Sequence, residues 1–284
     1  MQRLCSTLIA LTIVWFTVSC SRPAPPPESR EAPDAQSPPV AETARSPESP
    51  ATPPASASTA KPSDRQPAIA ALEKAGAILE IDDQGQVQRA EMTGADVTDE
   101  ILLHLGALPE LESLEISDAR VTDLGLASLH KLTNLQRLYL HDLPLTDIGL
   151  VNLRGLTELT VLALGNTQIS SAGLVHLEPL VNLEVLNLSK TQVDDAGLAR
   201  LKRLENLNTL TLEDTRVTDA GLAHLKPLSK LRVLNLSGTG VTDRGMVHLE
   251  GLTNLRMLYL ERCEIDEKKV ETFKEGMEGL AVYY

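Results

Sequence analysis

The chain has 284 residues, a formal net charge of −13 and only 2% aromatic residues. The charge is regional: residues 67–284 carry 20 basic and 33 acidic side chains, which is the whole of the excess. A segment this acidic repels phosphate backbones, which argues against nucleic acid as the main ligand, and three cysteines give no disulfide framework.

In chain order, residues 1–20 read MQRLCSTLIALTIVWFTVSC, with a basic Arg3, an uncharged apolar run from Leu4 to Val18, and then Ser19-Cys20. A run of 15 residues is short for a membrane span, which needs about 20. It suits the core of a signal peptide over residues 1–19. The end of the run, Phe16 to Cys20, resembles the lipobox of bacterial lipoproteins, with Thr17 standing where leucine is commonest. That resemblance implies diacylation of Cys20 through its thiol and attachment to a membrane in the bacterial cell envelope, outside the cytoplasm. Two acyl chains are enough for stable anchoring, and Cys5 would leave with the signal.

Residues 20–66 hold 12 of the 17 prolines, with Ala, Ser, Thr and Glu and almost no aliphatic side chains. Such a stretch cannot bury enough apolar surface to offset chain entropy, so a disordered, partly polyproline-like linker is predicted. At about 3.1 Å per residue it would reach at most ~140 Å from a membrane. Folded structure is expected from near Pro67, with a cap over residues 67–96. Within it, Gln66–Ala77 (QPAIAALEKAGA) reads as a helix, and Val87–Met92 aligns with the strand slot of the units that follow.

From Val97 a 24-residue pattern runs end to end through residue 264, with seven copies beginning at Val97, Val121, Leu145, Ile169, Val193, Val217 and Val241. One unit is too small to bury its own apolar face, so the units must stack around a shared core. The segment L-x-x-L-x-L recurs as LQRLYL, LTVLAL, LEVLNL, LNTLTL, LRVLNL and LRMLYL. Its last two leucines stand two apart and share one face of a strand, and strands of successive copies should pair in parallel. In V-T-D-x-G-L, Thr122 and Thr218 are placed to cap a helix, and Asp123 and Asp219 to favour its positive end. Leu126, Leu129 and Leu132 then recur every three residues, as in a short α or 3₁₀ helix on the convex side. Residues 265–284 keep the helix slots, replace the glycine by Lys269 and end in a degenerate strand, as a C-terminal cap does.

This pattern resembles the leucine-rich repeat, and V-T-D-x-G-L is similar to its cysteine-containing subtype. The resemblance implies an α/β solenoid with a curved parallel sheet on the concave side and short helices on the convex side. Thr167, Thr191, Thr215, Thr239 and Cys263 occupy the turn slot usually held by Asn or Cys. Cys263 is therefore expected in a buried ladder and unreactive.

Nothing in the sequence calls for catalysis, a metal or a cofactor. The glycines at 125, 149, 173, 197, 221 and 245 share one helix slot at about 1 kcal/mol each relative to alanine. That points to close approach of neighbouring backbones and not to a phosphate cradle. His104, His176, His224 and His248 share another slot, read as a solvated helix face. No G-x-S-x-G and no Cys-His dyad is present.

The remaining candidate is the strand face turned away from the core. Alternation brings out Arg137, Val161, Val185, Val233 and Met257 in one stripe, Tyr139 and Tyr259 in the next, and His141 in a third. An apolar stripe flanked by tyrosines suits a protein or peptide ligand. The expected protein is a monomeric, non-catalytic binding module displayed as a lipid-anchored envelope protein. The alternatives are a structural envelope spacer, or a substrate adaptor similar to F-box repeat proteins.

Overall fold

A computed structural model describes residues 62–284. The expected signal peptide, Cys20 and most of the expected linker lie outside the described residues. Leucine spacing sets the architecture. In the copy beginning at Val217, the side chains of Val217, Leu222, Leu225, Leu228, Leu231, Leu234 and Leu236 are all fully buried. The same slots are buried in the neighbouring copies and join one continuous core.

Ten strands form a single sheet in sequence order. They are β1 (Ile78–Ile81), β2 (Val87–Thr93), β3 (Ser113–Ser117), β4 (Arg137–His141), β5 (Val161–Ala163), β6 (Val185–Asn187), β7 (Thr209–Thr211), β8 (Val233–Asn235), β9 (Met257–Tyr259) and β10 (Ala281–Tyr283). From β2 to β10 every pairing is parallel. The register holds Leu138, Leu162, Leu186, Leu210, Leu234 and Leu258 side by side. A slip of one residue would turn each of these leucines to the opposite face, so burial fixes the register.

Behind the sheet, α2 (Asp99–Leu102), α3 (Asp123–Leu126) and α4 (Asp147–Leu150) are single α turns that continue as 3₁₀ turns. A 3₁₀ helix has about three residues per turn, so leucines three apart stay on one line toward the core. The same element recurs as α5 (Asp195–Leu198) and α6 (Asp219–Leu222), whereas Gly173–His176 and Gly245–His248 are 3₁₀ alone.

The N-terminal boundary differs from the sequence expectation. Helix α1 spans Pro62–Lys74, so it takes in the last residues of the predicted linker. Proline is well suited to a first helical turn, and Pro67, near which folded structure is expected to begin, lies inside the helix. Arg65 holds the early turns to the first repeat through a 2.6 Å ion pair with Glu110, and Ile69 and Leu72 are buried beneath. Strand β1, not expected from the sequence, pairs antiparallel with β2. The turn between them is set by Asp82, whose carboxylate accepts from the backbone N–H groups of Gln84 and Gln86 at 2.8 Å. The Gln86 bond is the main reason its carboxyl is held below the usual range. At the other end, α7 (Glu267–Glu275) is capped by Asp266, which accepts from the Lys268 N–H at 2.9 Å, and buries Val270 and Phe273.

The aspartates of V-T-D-x-G-L do more than face a helix terminus. Asp99 accepts from both Thr122 N–H and Thr122 Oγ1, at 2.7 and 2.6 Å. Asp123 does the same to Thr146 at 2.9 and 2.5 Å, and Asp147 to Ser170 at 2.8 and 2.6 Å. Asp195 and Asp219 repeat the pattern with Thr218 and Thr242. Thr122 also caps α3 by accepting from Leu124 N–H at 3.3 Å. Thr218 shows no such cap and is committed to Asp195.

The glycine slot follows from this ladder. A Cβ on Gly125 or Gly149 would stand 2.5 Å from the carboxylate oxygen of Asp99 or Asp123. The close approach that excludes a side chain is therefore chiefly to a carboxylate of the preceding repeat, not to its backbone.

One rung is inverted. Where the pattern calls for aspartate the chain has Ser171, and where it calls for threonine it has Asp194. Ser171 Oγ donates to Asp194 Oδ1 at 2.5 Å and accepts from the Asp194 N–H at 2.9 Å. The Ser171 bond is the main cause of the Asp194 carboxyl lying below its ordinary value. At the last rung the glycine becomes Lys269, whose ammonium pairs with Asp243.

Gly221→Ala should destabilise the protein by about 1–3 kcal/mol through overpacking. Gly251→Ala, with nothing within 4 Å of its added Cβ, should be close to neutral, and urea denaturation distinguishes the two. Ser171→Asp alone should destabilise by setting two carboxylates against each other. Combined with Asp194→Thr it should recover stability, with a coupling on the order of 1 kcal/mol in a double-mutant cycle. Because the folded Asp194 pKa is depressed, its contribution is present above the ordinary carboxylate range and is lost as pH falls through the folded value. Asp194→Asn should therefore flatten the acid limb of stability against pH.

Candidate binding face

Along each strand the leucines point inward and the residues between them outward. Leu138 and Leu140 of β4 are buried, while Arg137 is exposed and Tyr139 and His141 are half-buried. The parallel register then joins equivalent positions across the sheet. One row runs from Arg137 through Val161, Val185, Thr209 and Val233 to Met257. A second runs from Tyr139 through Ala163, Asn187, Thr211 and Asn235 to Tyr259. The sequence-derived residues thus lie on one face of one sheet, with Val161 directly beside Val185.

The centre of this face is low and uncharged, and its ends are tall. Val161, Val185 and Val233 are half-buried. Asn187 and Asn235 each accept from a backbone N–H two residues on, Ser189 and Ser237, at 2.9 Å. Those bonds tie up the amide oxygens and leave the NH₂ groups as donors toward a ligand. Tyr139 and Tyr259 stand five strands apart, about 24 Å at 4.8 Å per strand.

The two tyrosines are not equivalent. Tyr139 carries a phenol pushed up by burial and lies beside Arg137, which forms no ion pair among the described residues. Tyr259 stacks on Tyr283 of β10, with ring centroids 4.7 Å apart and planes at 12°, so half of its role is to hold the C-terminal cap. Its phenol is likewise pushed up, mainly by burial. His141 lies 3.2 Å from Asp142 and 3.9 Å from Glu115.

Several contributors escaped the sequence reading. The β1–β2 hairpin extends the face with Arg89, which pairs with Glu91 and reaches Glu80 and Glu115 at 3.9 Å. At the far end Arg262 donates to Asp214 at 2.6 Å and to Glu213 at 2.8 Å. It passes over Gly238, where a side chain would collide with both Asp214 and Arg262. Asp118, Asp142, Asn166, Lys190, Asp214, Gly238 and Arg262 follow one another every 24 residues, all with positive φ, between 51° and 62° for the non-glycine residues and 67° at Gly238. The run of Asp and Asn at this slot is the signal that would have revealed it, because those residues tolerate the left-handed region best.

The threonine ladder is present: Thr167, Thr191, Thr215 and Thr239 each donate to the carbonyl three residues earlier at 2.6–2.7 Å. Cys263 closes it by donating to Leu236 O at 3.1 Å. It is half-buried and not buried as the sequence implied. Of the four helix-face histidines, His224 and His248 are exposed, whereas His104 and His176 are half-buried. Among the described residues no three metal-binding side chains come together.

Residues 205–265 and 180–202 match the leucine rich repeat family. No curated protein matches the sequence. An internalin C2 from Listeria monocytogenes has 26% identity and a TM-score of 0.58, over 76% of this chain and 90% of that one. A leucine-rich-repeat protein of Leptospira interrogans is 18% identical at TM-score 0.49, over 68% of this chain and 52% of its own. A plant peptide hormone receptor, RGFR1, solved in complex with RGF2, is 17% identical at TM-score 0.48, over 68% and 30%. The fold is a leucine-rich-repeat solenoid, an architecture that generally serves protein interaction.

Tyr259→Ala should lower stability by about 0.5–1.5 kcal/mol through loss of the ring pair, and Tyr139→Ala by less. Thermal denaturation of the two variants side by side checks this difference, which makes Tyr139 the cleaner probe of binding.

Proposed function

We propose that this protein is a non-catalytic, protein-binding module held at the bacterial cell envelope by lipidated Cys20. The observation that carries the binding role is the row Arg137, Val161, Val185, Val233 and Met257 in cross-strand register on one open face. Arg137, with no ion pair among the described residues, and the half-buried Tyr139 are of the residue types enriched at interface hot spots, and the aligned valines supply an uncharged centre beside them. The fold supports the same reading, since repeat sheets of this kind offer long surfaces that small domains lack.

The anchoring half of the proposal rests on the sequence Phe16–Cys20. The ligand is a protein or peptide segment long enough to cross several strands. Val161, Val185 and Val233 make its central contacts, with Arg137, Tyr139 and His141 at one margin and Met257 and Tyr259 at the other.

Affinity capture from envelope extracts with the full chain should recover a saturable partner. Val185→Asp and Tyr139→Ala should each weaken that partner at least tenfold without unfolding the protein. Recovery of nothing saturable would favour a spacer that separates envelope layers without recognising a ligand. Labelling cells with a fatty-acid probe should mark the wild-type chain and leave Cys20→Ser unmarked.

A further inference from the structure

The most exposed large apolar side chains among the described residues are not on the strand face. Leu124, Ile148 and Leu103 are 79%, 74% and 69% exposed, and all three lie on the helical side. The repeat makes them neighbours. Leu124 and Ile148 share one slot, and Leu103 and Val151 share the slot one 3₁₀ turn further on. The first slot holds Glu100 in the first copy and shrinks to Ala172, Ala196 and Ala220 in later ones, and the second slot holds Ala127 between Leu103 and Val151, so the bulky side chains are confined to three successive copies.

Charge is sorted along the two sides of this strip. Before it run the carboxylates Asp99, Asp123 and Asp147. Each accepts two hydrogen bonds from the next repeat and keeps lone-pair capacity for more. After it run His130, Lys131 and Arg154, all exposed. None of these three forms an ion pair among the described residues. At about 2 Å rise per residue the acidic and basic rows stand roughly 15 Å apart.

We propose that this convex strip is the contact between two copies of the chain. A two-fold axis lying in the contact plane along the solenoid direction sets each copy's acidic row against its partner's basic row, and Leu103 and Val151, midway between the rows, against their own counterparts. An axis across the solenoid direction would oppose acid to acid, so the charge layout selects the parallel arrangement. In it both N-terminal ends emerge on the same side. An anionic lipid surface fits less well, because the carboxylate row borders the strip along its whole length.

Three repeats at 8–10 Å between helices, by about 15 Å, give roughly 400–500 Å² per copy. That is below the ~800 Å² per partner of a standard stable interface, so the pair is reversible and concentration-dependent. It replaces the monomer expected from the sequence.

The test uses the full chain in detergent, with Leu103→Cys or Val151→Cys introduced singly and oxidised disulfides identified by peptide mass. The parallel pair predicts 103–103 links in the first variant and 151–151 links in the second. Val247→Cys, whose exposure of 57% lies between those of Leu103 and Val151 at 69% and 49%, is far from the strip and supplies the background yield. Adding His130→Glu and Arg154→Glu, which set acid against acid across the contact, should cut both yields at least tenfold while circular dichroism stays unchanged. Links no more frequent than the Val247→Cys background would overturn the proposal. So would a link that forms only between a 103 variant and a 151 variant, or protection of the strip that appears only when anionic vesicles are added.

Discussion

Burial that repeats every 24 residues is the constraint on which everything else rests. Leu138 stands in register beside its counterpart Leu162, and that one beside Leu186, in one shared core, because no copy has enough apolar volume to close on itself. Once that register is fixed, any residue type repeated at the period becomes a column in space. The threonine column, the left-handed column and the aspartate column are all consequences of the leucines. The outward rows of the sheet are as well.

The polar columns determine how well the stack is specified. An aspartate that accepts two bonds from the next copy ties neighbouring helices at a fixed offset, and it needs glycine beside it because there is no room for a Cβ. The conformational cost of glycine in a helix is offset by the carboxylate it admits. Lys269 shows the alternative at the end of the array. There the donor slot, threonine in other copies, holds Asp266, which is occupied with capping α7, and a cation pairs with Asp243 instead.

The strands, the leucine core and the placement of Arg137, Tyr139 and Val161 on one face were legible in the sequence, because periods of two and 24 survive without any knowledge of tertiary contacts. What was not legible depended on contacts between non-equivalent atoms. The start of α1 was obscured by Pro67, and it is the long-range Arg65–Glu110 pair that holds the earlier turns. The stacking of Tyr259 on Tyr283 requires knowing that the degenerate final strand still joins the sheet in register. The role of the glycines was read as backbone proximity because the sequence does not say which way Asp99 and Asp123 turn.

The inverted rung at Ser171 and Asp194 makes the copies on either side of it unequal as building blocks. Excision of residues 169–192 would leave Asp147 facing Asp194, acid on acid. Excision of residues 193–216 would leave Ser171 opposite Thr218, two hydroxyls with no carboxylate between them. Only removal of both together restores an Asp147–Thr218 rung. The array can therefore shorten or lengthen by single units at its flanks, but across its middle it is divisible only in twos.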